Sequence, residues 1–242
     1  MTLTVKPIAI LEDNYAWFLR DEATGITAVM DAAVVEPIAE FIAAEGGRLD
    51  WLLITHHHGD HIAGIAELAS RTGAKVAGNA ADAKRLPKLD VAVNPGDVFA
   101  LGNSEAQIID TPGHTRGHIS WHFPTGEALF CGDTLFAAGC GRLLEGTPEE
   151  MFASLRKLTV LPEATKICCG HEYTLSNIRY ALSVEPANAA LKAFEAQAKA
   201  LRAEGKPTLP TTLGTEHAIN PFLHARDVAH FAELRAGKDN FR

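Results

Sequence analysis

The chain has 242 residues, 47% apolar and 21% charged, with 30 Asp and Glu against 22 Lys and Arg for a formal charge of -8. That length suits one large domain or one domain with an appendage; no stretch approaches the roughly 20 consecutive apolar residues of a membrane span, and the acidic balance argues against nucleic acid as a partner. Four cysteines, two of them adjacent, are too few for a disulfide scaffold, and the N-terminal residues lack the apolar core of a secretory leader, so a reduced cytoplasmic protein is expected.

Taken in chain order, residues 3–10, 15–20 and 26–31 read as strands, separated by Glu12-Asp13-Asn14 and Ala23-Thr24-Gly25. A helix over 35–44 stops at Gly46-Gly47, and the apolar run 51–55 is a strand that ends in a polar cluster. A helix is expected over 61–72 and a strand over 75–78, followed by strands at 91–93, 98–101, 107–111, 119–123 and 128–131. Met151, Leu155 and Leu158 are spaced four and three apart, which predicts a helix over 148–161 with Thr147 as N-cap ahead of Pro148. Residues 166–169 return to strand. Beyond Tyr173 the pattern turns helical, with Leu191, Phe194, Ala198 and Leu201 at helical spacing and a last helix over 224–236. A boundary near residue 173 follows, giving a first domain over 1–173 and a helical one over 174–242. Mixed strands and helices in two successive stretches imply a layered α/β fold, whose strand-end loops converge on one rim.

Those loops hold the chemistry. Of 11 histidines, seven lie between His56 and His122, and the first loop reads Thr55-His56-His57-His58-Gly59-Asp60-His61. In extended chain, residues two apart face one side, so His56 and His58 can reach one cation while His57 points away. Three more strand ends supply His114, Asp133 and His171. The count closes on two coordination groups: His56, His58, His114 and Asp133 around one ion, and Asp60, His61, His171 and Asp133 around the other. Imidazole with carboxylate suits zinc, with iron or manganese tolerated, and a two-cation arrangement suits hydrolysis.

His57 is expected to pack or to support the ligands, His118 to support the His114 loop rather than bind metal, His122 to pack, and His217, His224 and His230 to be ordinary surface residues. Cys140 is expected to be structural, and Cys168 and Cys169 to be buried strand residues. The chain has no G-x-S-x-G (Gly102 to Ala106 fails at its last position), no P-loop and no dinucleotide-binding glycine motif after a strand.

The loops THHHGDH, TPGHTRGH, CGDTLF and CGHEYT together resemble the metallo-β-lactamase superfamily, and within it the glyoxalase II (hydroxyacylglutathione hydrolase) family. Leu11-Glu12-Asp13-Asn14-Tyr15, Gly139-Cys140-Gly141-Arg142, Asn220-Pro221-Phe222 and Arg235-Ala236-Gly237-Lys238-Asp239 extend the similarity along the chain. The resemblance implies a four-layer αβ/βα sandwich with a small C-terminal helical domain. It implies hydrolysis of S-lactoylglutathione to glutathione and D-lactate, the second step of methylglyoxal detoxification, with seven metal ligands matching those above. It also implies glutathione contacts at Arg142, Tyr173, Arg235 and Lys238; Leu144, where some members carry an aromatic residue, departs from the pattern. Asp60 and Asp133 are expected to be catalytic, Asp60 orienting the attacking water and Asp133 bridging the cations. A glutathione thioester is thus the expected partner of a monomeric protein. The alternatives are a persulfide dioxygenase or a lactonase of the same superfamily and, outside enzymes, a metal-buffering protein.

Overall fold

The computed structural model describes residues 2–241. β-Branched residues in β1 (Leu3–Ile10) and β3 (Thr27–Met30) and the aromatics Tyr15, Trp17 and Phe18 in β2 (Asn14–Asp21) build an antiparallel meander. Parallel strands β4 (Trp51–Leu53), β5 (Lys75–Asn79) and β6 (Val91–Val93) complete a six-stranded mixed sheet. The connections in this half are α1 (Glu36–Ala44), α2 (Gly59–Ile62) and α3 (Ile65–Thr72).

A second six-stranded sheet follows. Its antiparallel part is β7 (Val98–Leu101), β8 (Ser104–Asp110), β9 (Ile119–Phe123) and β10 (Ala128–Gly132). Strands β11 (Leu135–Phe136) and β12 (Gly139–Cys140) form a separate small hairpin, and α4 (Pro148–Leu158) leads to β13 (Lys166–Cys169), which pairs parallel with β10. After Tyr173 come α5 (Thr174–Val184), α6 (Ala189–Ala203), the short β14 (Thr211–Thr212), α7 (Leu213–Ile219) and α8 (Val228–Asn240). Strand β14 pairs with β13, so this C-terminal stretch also extends the second sheet.

The two sheets face each other across one apolar core. Trp17 and Phe130 meet edge to face at 6.3 Å and Trp51 and Phe99 at 4.9 Å, and the Trp17 and Trp121 indoles donate to the Cys169 and Ile54 carbonyls of the opposite sheet. Ile38 and Ile42 of α1 and Ile65 and Leu68 of α3 cover the outer face of the first sheet. Met151, Leu155 and Leu158 of α4 join the core on the side of the second. The order is helices, sheet, sheet, helices, which is the expected four-layer sandwich.

Several element bounds differ from the sequence reading. The helix expected over 61–72 is two helices broken at Gly64, whose N–H donates to the Ala32 carbonyl at 3.0 Å and where a Cβ would stand 2.8 Å from the Val34 backbone. Helix α4 ends at Leu158, short of 161, and the last helix starts four residues later than expected, where the Asp227 carboxylate caps the His230 N–H at 2.8 Å. Helix α5 falls in the stretch beyond Tyr173 that was expected to be helical but was given no bounds, and α7 lies where no helix was expected.

Candidate metal centre and adjoining cavity

Strands β4, β8, β10 and β13 end on one rim, and their loops bring all seven expected ligand residues together. His56 Nε2 and His114 Nε2 lie 3.1 and 3.0 Å from His58 Nδ1. Beside them, Asp60 Oδ2 stands 3.6 Å from His61 Nε2 and 3.4 Å from His171 Nε2. The Asp133 carboxylate lies between the groups: Oδ1 is 3.5 Å from His61 Nε2, and Oδ2 is 3.4 Å from His114 Nε2 and 3.3 Å from His171 Nε2. Donors at about 2.0–2.1 Å from one tetrahedral ion sit about 3.3 Å apart, so the spacing fits cations. His61 Nε2 and Asp133 Oδ1 are also buried without a hydrogen-bond partner among the described residues, a costly state that an ion would relieve.

The opposite ring nitrogens are anchored. His61 Nδ1 meets Asp31 Oδ2 and His171 Nδ1 meets Asp13 Oδ1, both at 3.0 Å, while His114 Nδ1 donates to the Arg142 carbonyl at 2.9 Å. With an oxygen acceptor at each Nδ1, Nδ1 is the donor in each ring and Nε2 is turned to the centre. Asn14 Nδ2 donates to Asp60 Oδ2 at 3.0 Å, and His118 Nε2 accepts the Asp133 N–H at 3.2 Å. His118 therefore holds Asp133 in place, as a supporting residue. Asp13, Asn14 and Asp31 were not singled out from the sequence, although Asp31 ends the third expected strand and Asp13-Asn14 belongs to a quoted motif. His57 faces away, 3.3 Å from Asp82 and 3.6 Å from Glu145.

Charge at the centre follows from this geometry. Burial, with His61 and His118 alongside, holds the His56 imidazole well below its usual range, and burial does the same to His118. Burial also pulls on His61 and His171, but the Asp133 carboxylate, joined by Asp31 at His61 and by Asp60 and Asp13 at His171, outweighs it and pushes His61 up and His171 up to about 10. Burial opposes the Asp133 charge, yet His61 and His171 hold its carboxyl well below the usual range. The His171 hydrogen bond does the same for Asp60. A buried Asp133 carboxylate with Asp60 beside it calls for positive charge there.

A cavity of about 430 Å³ opens from His114 and Asp133 and is walled by Phe136, Arg142, Tyr173 and Lys238, with Arg235 behind. The four residues named from the resemblance, Arg142, Tyr173, Arg235 and Lys238, thus share one cavity. Their exposure differs sharply. The Arg142 side chain is 72% exposed, whereas that of Arg235 is 5% exposed. Arg235 donates to the Cys140 carbonyl at 2.7 Å and to Asp239 Oδ1 at 2.9 Å. Tyr173 stacks on His171 with centroids 4.6 Å apart, and Lys238 Nζ donates to Ser176 O and Oγ at 3.0 Å. Burial and then Arg235 bring Lys238 down to about 8. Leu144 is exposed and does not line the cavity.

Cys140 lines the cavity, but burial pushes its thiol up to about 11, in keeping with a structural residue. Cys168 and Cys169 are buried in β13 as expected. The late histidines differ from expectation: all three are partly buried, and His224 bridges Glu185 Oε1 at 2.7 Å and the His217 carbonyl at 2.8 Å. His224 lies between α7 and α8 and is covered by the chain at Glu185 and His217, a return that spacing along the chain does not reveal.

Comparison with known proteins fits this arrangement. Residues 11–171 match the family model of the metallo-beta-lactamase superfamily, and residues 172–241 match that of the hydroxyacylglutathione hydrolase C-terminus. A hydroxyacylglutathione hydrolase of Acidiphilium cryptum (strain JF-5) is 52% identical over 238 residues, 98% of this chain and 97% of that protein. One of Rhodobacter capsulatus is 52% identical over 234 residues, 97% of this chain and 91% of that protein. Among solved structures, ETHE1 from Myxococcus xanthus aligns with a TM-score of 0.74 at 25% identity, over 96% of this chain and 90% of that one.

Proposed function

The chain belongs to the hydroxyacylglutathione hydrolase (glyoxalase II) family of the metallo-β-lactamase superfamily, and from that premise we propose that it hydrolyses S-(2-hydroxyacyl)glutathione thioesters. S-lactoylglutathione is the expected substrate, giving glutathione and D-lactate in the second step of methylglyoxal detoxification. The observation that carries the reading is the Asp133 carboxylate, whose two oxygens stand within 3.5 Å of His61, His114 and His171 at the junction of two ligand groups.

In this reading His56, His58, His114 and Asp133 hold one divalent cation and Asp60, His61, His171 and Asp133 hold a second, with zinc expected and iron or manganese tolerated. When bound, the pair would supply water acidified towards neutral pH and a Lewis acid for the thioester carbonyl. The protein's own groups do the rest. Asp60, 42% exposed at its side chain and fixed by Asn14, is the carboxylate placed to orient the attacking water. Arg142 and Lys238 offer charge to the two carboxylates of the peptide, with Tyr173 as a flat wall against His171. Arg235, with both Nη atoms engaged, fixes the Cys140 carbonyl and so the path of the loop carrying Arg142.

Asp60, His61 and His171, completing the second group, favour a hydrolase over a one-iron persulfide dioxygenase, and the adjoining cationic cavity favours catalysis over metal buffering. Among the described residues no helix is long and apolar enough to cross a membrane; a cytoplasmic monomer without nucleic-acid partners belongs to the same proposal. Elemental analysis and thiol release from S-lactoylglutathione, measured on one sample, test it. Two ions per chain with turnover is the expected result; full metal content with no thioester hydrolysis would overturn it.

A further inference from the structure

The cationic wall of the cavity contains one carboxylate that the proposed chemistry leaves unused. Asp239, on the last turn of α8, places Oδ1 2.9 Å from Arg235 Nη2 and 3.7 Å from Arg142 Nε. One oxygen thus faces two guanidinium groups that reach it from different parts of the chain, Arg142 just beyond β12 and Arg235 one helical turn back along α8. The two contacts are unequal. Arg235 is buried, and without Asp239 its charge would lack a carboxylate partner within 4.0 Å among the described residues. The Arg142 contact is long, lies between side chains 72% and 40% exposed, and is readily exchanged.

A peptide carboxylate entering the cavity meets Arg142 as its most exposed cation, and it meets Asp239 already there. We propose that Asp239 is a specificity-determining residue for this site: its carboxylate occupies the position on Arg142 that a carboxylate of the glutathione moiety takes, so that binding is weakened and the peptide product leaves. The inference rests on the proposed thioester hydrolysis. Two cations, Arg142 and Lys238, would otherwise face a product that carries two carboxylates, with the buried Arg235 charge just behind them. Burial is what mainly brings Lys238 down to about 8, with Arg235, Arg179 and Arg142 adding to it and Asp239 opposing it. Asp239 offsets part of that field while leaving Arg142 able to move to substrate.

Asp239→Asn keeps an oxygen to accept from Arg235 and removes the charge. In the metal-loaded enzyme it should lower KM for S-lactoylglutathione and Ki for product glutathione about threefold to tenfold, with S-methylglutathione binding tighter by calorimetry to a similar extent. The gain should be larger at low salt and should vanish when Arg142→Ala is combined with it, since the effect runs through Arg142. Because buried Arg235 also loses its carboxylate, a lower Tm is expected on either reading, and the kinetics discriminate. A residue that merely held α8 in place would give a higher KM and weaker glutathione inhibition; that pattern, or unchanged KM and Ki, overturns the role of Asp239. Absence of turnover and of S-methylglutathione binding in the wild-type protein overturns the hydrolase reading itself.

Discussion

At the scale of single residues, the ligands were legible because their chemistry shows in residue type and spacing: few roles other than metal binding call for His56, His58, Asp60 and His61 in one short loop. Their supports were not, because Asp13 and Asp31 become special only where the chain returns to meet His171 and His61. Replacing either by alanine should free a ring to rotate, and metal affinity should fall about 10- to 100-fold, measured by competition with a chromogenic chelator; unchanged affinity would make these contacts incidental. Gly170 is equally silent in the sequence. A Cβ there would stand 2.6 Å from both Asp133 Oδ1 and His61 Cε1, on a backbone conformation that alanine tolerates. Gly170→Ala should therefore lower kcat/KM at least about tenfold, the order expected when a catalytic group is misplaced, and loosen metal retention, with little change in Tm. A variant of wild-type activity would mean that the centre yields more readily than its packing implies.

Among the elements, those that bury an apolar face were read with few errors, and the misses have physical causes. Helix α5 starts at Thr174 with no side-chain cap, and β11, β12 and β14 are two residues long, held by tertiary contacts with no period to detect. Helix α4 is the opposite case. The expected cap at Thr147 is half of a reciprocal pair, its hydroxyl accepting from the Glu150 N–H at 3.3 Å and Glu150 Oε2 accepting from the Thr147 N–H at 2.8 Å. Ser154 on this helix donates to the Pro112 carbonyl at 2.7 Å, tying α4 to the loop that carries His114. Thr147→Ala should cost about 1 kcal/mol and lower Tm by roughly 2–4 °C, read by calorimetry. Metal content and kcat should hold, because Pro148 and the buried face still define the helix. A loss of activity out of proportion to the loss of stability would show that the cap positions the His114 loop directly.

For the molecule as a whole, the layered fold followed from the order of strands and helices, but the seam joining the C-terminal stretch to the cavity did not. That seam is a buried polar knot. Glu216 in α7 is fully buried and accepts from the Thr211 hydroxyl at 2.7 Å, the Ala138 N–H at 2.8 Å and Asn220 Nδ2 at 3.0 Å. Asn220 also donates to the Phe136 and Gly139 carbonyls, so the knot clamps the β11–β12 hairpin, and with it the cavity wall, to α7. Burial dominates over these donors and pushes the Glu216 carboxyl from 4.5 up to about 7. Between those two pH values the folded protein keeps a proton that the unfolded chain has released, so stability falls as pH rises across that window. The contribution is fully present below about pH 4.5 and gone above about pH 7, and amounts to about 3 kcal/mol at most. Glu216→Gln fits the same knot: its oxygen can take the place of Oε2 and accept from Ala138 and Asn220, while its amide donates to the Thr211 hydroxyl. Urea unfolding of both metal-saturated proteins from pH 5 to pH 8 isolates the effect, since protonation of the metal ligands is common to the two and cancels in the difference. The wild type should lose stability relative to the variant as pH rises through this range. A difference that stays flat with pH would mean that Glu216 is ionised throughout and that its three donors outweigh its burial.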